Sequence, residues 1–109
     1  MISYSDFGKV DIRVGRIIAV SDFFEAKKPS VVLTIDFGSE MGLKSSSAQI
    51  TNYSKDALIG KQILGVVNLP PKKVGSFVSE VLVLGVLDGL RKVVLIRPDK
   101  EVPLGETLF

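Results

Sequence analysis

LKSSSAQITNYSKDALIGKQILGVVN, from Leu43 to Asn68, is the stretch on which the fold turns. Leu43 to Ile50 reads as an extended run, although an unusually polar one. Ser54 to Leu58 reads as a short helix. Ser54 supplies an N-cap, Asp56 suits the positive helix start, and Gly60 suits the left-handed C-terminal position. Lys61 to Asn68 returns to an apolar extended run. The order is strand, small helix, strand.

Outward from this stretch the chain is strand-rich. Ser3 and Asp6 have capping-box spacing and predict a short helical turn. Asp11 to Val20 predicts a long strand in which Ile12, Val14, Ile18 and Val20 share one parity. Gly15 inside that run predicts a bulge. Ser21 to Ser30 is a polar loop, and Val31 to Phe37 alternates as a second strand. Leu69 to Ser76, with Pro70 and Pro71, reads as a rigid basic loop. Ser79 to Val86 is a fifth strand, Asp88-Gly89 a turn, and Lys92 to Arg97 a further strand. Pro98 to Phe109 is a tail of turns and short extended pieces. Short strands with one small helix between the third and fourth predict an all-β, five-stranded OB-fold barrel with N- and C-terminal extensions. SH3-like barrels and small sandwiches fit the same pattern.

Composition limits what such a barrel does. A length of 109 residues accommodates one domain, spanning 1–109. The chain is 46% hydrophobic and 24% charged, enough for a core without staples. It has no cysteine, which removes disulfides and thiolate metal sites. It has no histidine, which removes the usual neutral-pH general base and the commonest metal ligand. No run approaches the roughly 20 apolar residues of a membrane helix, and no signal-peptide core opens the chain. A cytoplasmic protein with no membrane insertion is expected. The net charge of +2 permits nucleic-acid binding without demanding it.

The chemistry-bearing groups are few. No His/Cys/Asp/Glu cluster has ligand spacing, and there is no P-loop or dinucleotide glycine pattern, so no metal or cofactor is expected. A lone Glu80 makes a poor catalyst, and the chain reads as a non-enzyme. Lys44, Ser47 and Gln49 on the polar third strand form either a binding face or an ordinary solvated one. Asn68 ends an apolar strand at the expected barrel mouth. Beyond it, prolines stiffen the presentation of Lys72 and Lys73, which suit phosphates, although loop lysines also serve solubility. Lys27 and Lys28 occupy the loop that flanks an OB-fold binding face. Ser79-Glu80 offers a hydroxyl and a carboxylate acceptor, or simply an exposed charge. Phe23, Phe24 and Phe77 fall in expected loops, where they form either a patch for a polypeptide or part of the core.

Five ordered segments carry a resemblance. Asp11-Ile12-Arg13-Val14-Gly15-Arg16-Ile17 resembles the D-x-R-V-G-x-I opening of the tRNA-binding domain family. Ile35-Asp36-Phe37-Gly38, Lys44 to Thr51, Leu58-Ile59-Gly60-Lys61-Gln62 and Asn68 to Gly75 resemble its later motifs. Lys44 to Thr51 and Phe77 to Gly85 are similar to the CsaA-type export-related chaperone subgroup. The resemblance implies an OB-fold and a homodimer built by the terminal extensions. It implies tRNA or structured RNA, and unfolded or pre-secretory polypeptide, as ligands. A free-standing tRNA-binding module with no chaperone role is the alternative. Carried over by position, the RNA-side residues are Lys44, Ser47, Gln49, Asn68, Lys72, Lys73, Ser79 and Glu80. Lys72-Lys73 stands where the family commonly has arginine, and lysine cannot make a bidentate fork.

Overall fold

The computed structural model describes residues 1–109. Ser3 caps helix α1 (Tyr4–Gly8) with the expected reciprocal bonds to Asp6. Strands β1 (Ile12–Phe23), β2 (Ser30–Asp36) and β3 (Leu43–Ala48) form an antiparallel meander. Helix α2 (Lys55–Leu58) follows, with Ser54 accepting from the Ala57 amide and Gly60 in the left-handed region at φ +93°. β4 (Gln62–Val66) pairs with β1. The rest is short: β5 (Lys72–Val74), β6 (Phe77–Ser79), β7 (Leu82–Val83), β8 (Gly85–Leu87) and β9 (Val93–Leu95). The main sheet runs β3-β2-β1-β4-β7, a curled five-stranded half-barrel with its helix between β3 and β4, the OB arrangement.

Side chains finish the closure that backbone ladders leave open. The Glu80 amide donates to the Ser45 carbonyl at 2.8 Å. The buried Ser46 hydroxyl donates to the Val81 carbonyl at 2.9 Å, and the Ser47 amide donates to Ser79 Oγ at 3.1 Å. Thus β3 is joined to the β6–β7 segment without a continuous ladder.

Four expectations are corrected. The irregularity in β1 falls between Ile17 and Ala19, not at Gly15. It switches the parity, so Ile17 is fully buried and Ile18 is exposed. Gly15 instead marks a close approach: a Cβ there would lie 2.5 Å from Ile35 Cγ2. The expected fifth strand is split into β6, β7 and β8, because it changes partner from β5 to β4 to β9 along its length. The expected basic loop contains β5, one arm of a two-residue hairpin. Gly75, at φ +60°, takes the first turn position that glycine favours in such hairpins.

Two apolar clusters sandwich the sheet. Ile17, Leu33, Ile35, Phe37, Leu58 and Ile63 are among those filling the barrel. Ile12, Val14, Leu64 and Val66 form a second cluster, covered by Leu84, Ile96 and Val102. β4 is therefore buried on both faces, which suits its unbroken apolar run. No helix is long and apolar enough to cross a membrane.

Candidate nucleic-acid interface

Two long-range contacts bring the two expected basic segments together. At the end of β1 the Phe23 ring lies 5.4 Å, centroid to centroid, from Phe77 on β6, tilted by 58°. Just beyond, Glu25 Oε2 accepts from the Ser76 amide at 3.0 Å and from the Ser76 hydroxyl at 2.7 Å. The β1–β2 loop is thereby fastened to the β5–β6 turn. The bond from the Ser76 amide, then that from its hydroxyl, holds the Glu25 carboxyl below its ordinary value. Gly75 is needed here twice over. Its φ is positive, and an added Cβ would stand 2.7 Å from Glu25 Oε2.

Beside this fastening runs a groove of about 1060 Å³. Lys27, Lys28, Lys72 and Lys73 line it, and Lys72 and Lys73 are exposed on β5. Ser47, Gln49, Ser79 and Glu80 line it as well. None of the four lysines enters an ion pair within the chain. Half of the lining residues are hydrophobic, with Val81, Leu84 and Leu95 among them. The lining holds no aromatic side chain and no histidine or cysteine. No group of three or more potential metal-ligating side chains occurs.

Several expected site residues take other duties. Asn68 is outside the groove. Its Oδ1 accepts from the Asp11 amide at 2.9 Å and its Nδ2 donates to the Lys9 carbonyl at 2.7 Å. It thus ties β4 to the chain entering β1. Lys44 is also outside the lining, 4.0 Å from Glu80 Oε2. Glu80 Oε1 accepts from both the amide and the hydroxyl of Ser45, at 3.1 and 3.0 Å. Glu80 is therefore largely a closure residue. Phe23 and Phe77 pair with each other, which leaves Phe24 as the one strongly exposed aromatic of the three. Within the serine run, Ser45 and Ser46 serve closure, while the Ser47 and Gln49 side chains stay at the groove.

Sequence reasoning missed Glu25 and Ser76. They are 51 positions apart, and neither has a neighbour that announces the other.

Residues 12–107 match the family described as "Putative tRNA binding domain". A methionine–tRNA ligase of Thermococcus onnurineus is 39% identical over 95% of this chain, and the chain spans only 14% of that relative's length. A ligase of Pyrococcus furiosus is 38% identical, with 14% of its length spanned. Among solved structures, a CsaA chaperone protein from Picrophilus torridus superposes with a TM-score of 0.94 at 56% identity, covering 100% of both chains. A chaperone CsaA from Bacillus anthracis gives 0.92 at 47%, covering 100% of this chain and 99% of that one. With the family matched over nearly its full length, on an OB-type half-barrel carrying four unpaired lysines at one groove, this chain belongs to the putative tRNA-binding domain family.

Proposed function

We propose that this chain is a non-catalytic, cytoplasmic RNA-binding module that holds the phosphate backbone of a transfer RNA in the lysine-walled groove. The observation that carries the reading is the convergence of Lys27, Lys28, Lys72 and Lys73 on one cavity. Ammonium groups attract phosphates without reading bases, so the affinity is sequence-tolerant and strongly salt-dependent. The absence of an aromatic lining favours recognition of backbone and shape over base stacking. Ser47, Gln49 and Ser79 add polar groups beside the lysines, and Glu80 offers Oε2 alone.

A second occupant has its own support. The apolar half of the lining, together with the similarity to chaperone proteins, favours an unfolded or pre-secretory polypeptide in the same groove. Exposed Ile2, Tyr4, Leu108 and Phe109 at the two termini favour a homodimer that covers them. The C-terminal tail lies against β1 through an Arg13–Thr107 bridge, which puts both extensions on one side.

A competition assay tests the reading. A fluorescent tRNA transcript is bound first, and an unfolded polypeptide is then added. Displacement supports a shared groove. Simultaneous binding separates the two sites, and suppression of client aggregation without tRNA binding leaves only the chaperone role. Retention of tRNA with no effect on client aggregation supports the free-standing tRNA-binding module.

A further inference from the structure

A second concavity carries charge that the groove does not use. A hollow of about 490 Å³ lies between the end of α2 and the segment Arg97 to Glu101. Lys61, Arg97 and Lys100 line it, with Asp99 and Glu101 as the only acids. Arg16 takes Glu101 with two bonds, at 2.9 and 2.7 Å, which largely neutralises that carboxylate. Lys61, Arg97 and Lys100 enter no ion pair. Asp99 is then the one opposing charge left in the hollow.

The segment bearing these cations is anchored at both ends on β4. Before it, the Leu64 amide donates to the Ile96 carbonyl at 3.2 Å. After it, the buried Gln62 amide grips the Val102 backbone, donating at 2.7 Å and accepting at 3.1 Å. Pro98 restricts the span between the anchors. Arg97 and Lys100 are thus presented on a short braced segment, which lowers the ordering cost of binding. Lys61 lies over the Tyr53 ring, 6.0 Å from its centroid.

The hollow adjoins the groove. Leu95 lines the groove and Arg97 the hollow, two residues further along. An extended backbone covers about 7 Å in two residues, so one polyanion can reach both.

We infer that the hollow is a second phosphate subsite for the RNA held by the groove, with Arg97, Lys100 and Lys61 as its donors. This rests on the proposed function. It also adds what the groove lacks. Arg97 can fork onto a phosphate with two parallel bonds, whereas the groove cations are all lysines.

The test is fluorescence anisotropy of a tRNA transcript with the full chain, from 50 to 200 mM salt. The variants are Arg97→Gln with Lys100→Gln, Lys72→Ala with Lys73→Ala, and Arg91→Gln with Lys92→Gln. The last pair removes equal charge from the exposed β8–β9 turn, away from both concavities. The first pair is expected to lower the log–log salt slope by about 1.5, at roughly 0.7 to 0.9 per phosphate released. The β8–β9 pair is expected to change the slope by less than half as much. Equal losses in those two pairs, or no loss from Arg97 and Lys100, overturns the inference. If the Lys72 and Lys73 pair responds while the Arg97 and Lys100 pair does not, the groove reading stands and only the subsite falls. If the unmodified protein binds no tRNA, both fall.

Discussion

Glu25 and Ser76, 51 positions apart, are joined by two hydrogen bonds to a single carboxylate oxygen, at 3.0 and 2.7 Å. This puts a negative charge next to a groove proposed to hold phosphates. Coulomb repulsion alone would make Glu25 a liability there. Its retention is explained if fastening the β5–β6 hairpin to the β1–β2 loop outweighs the repulsion. Glu25→Ala is therefore expected to weaken tRNA binding several-fold despite removing a negative charge. Glu25→Gln, which keeps an oxygen acceptor, falls between the two. Tighter tRNA binding by Glu25→Ala in a titration at fixed salt contradicts the fastening role.

Three carboxyls respond to folding in the same direction. Asp6 is held low by the Ser3 amide first and the Ser3 hydroxyl next, Glu25 by the Ser76 amide and hydroxyl, and Glu101 by the Arg16 guanidinium. Each is depressed only in the folded chain, so the folded state binds fewer protons than the unfolded one. Their stabilisation is complete above the ordinary values of 3.8 for Asp6 and 4.5 for the two glutamates. It is lost as pH falls through the depressed values. Urea unfolding is expected to give a lower midpoint at pH 3 than at pH 5, with pH 5 and 7 nearly equal. In the triple variant Asp6→Asn, Glu25→Gln, Glu101→Gln that fall is smaller. An equal fall in the variant contradicts the assignment.

The serine run separates closure from binding. Ser46→Ala removes a buried donor and leaves the Val81 carbonyl unpartnered, which costs about 1 to 3 kcal/mol of stability. Gln49→Ala is expected to leave stability within about 0.5 kcal/mol while weakening tRNA binding. Denaturant midpoints and tRNA titrations on both variants check this. A stability loss at Gln49, or none at Ser46, reverses the roles.

These serines also mark what was legible in the sequence. The low strand propensity of Ser45-Ser46-Ser47 correctly singled out β3, but the physical reason is divided between two duties. Three residues in alternate orientations meet different neighbours, and those neighbours lie more than 30 positions away. Local signals were read well wherever the partner was local. The capping box at Ser3, the N-cap at Ser54 and the left-handed Gly60 all stand. Readings that depended on distant partners did not transfer. Ile18 faces outward because a register shift intervenes, which periodicity alone does not locate. Lys72 and Lys73 belong to a strand because Ser79 and Val78 stand opposite them. Their convergence with Lys27 and Lys28 was foreseeable from the OB pattern, whereas the fastening that produces it was not.

Asn68 belongs to that second class. Its amide bonds two backbone groups of the segment entering β1, so Asn68→Ala is expected to cost about 1 to 2 kcal/mol. Its tRNA affinity is expected to stay within twofold of the unmodified protein. Urea unfolding and a tRNA titration decide between this tie and the RNA contact that its motif position implies. Unchanged stability with weakened binding contradicts the tie.

The central claim is that two lysine pairs from distant segments act on one polyanion. The most direct measurement is the salt dependence of tRNA affinity for the unmodified chain, for Lys27→Ala with Lys28→Ala, for Lys72→Ala with Lys73→Ala, and for all four together. Each pair is expected to lower the log–log slope by about 1 to 2, and the fourfold variant to lower it by about twice that. Slopes that do not change when all four lysines are removed contradict the account.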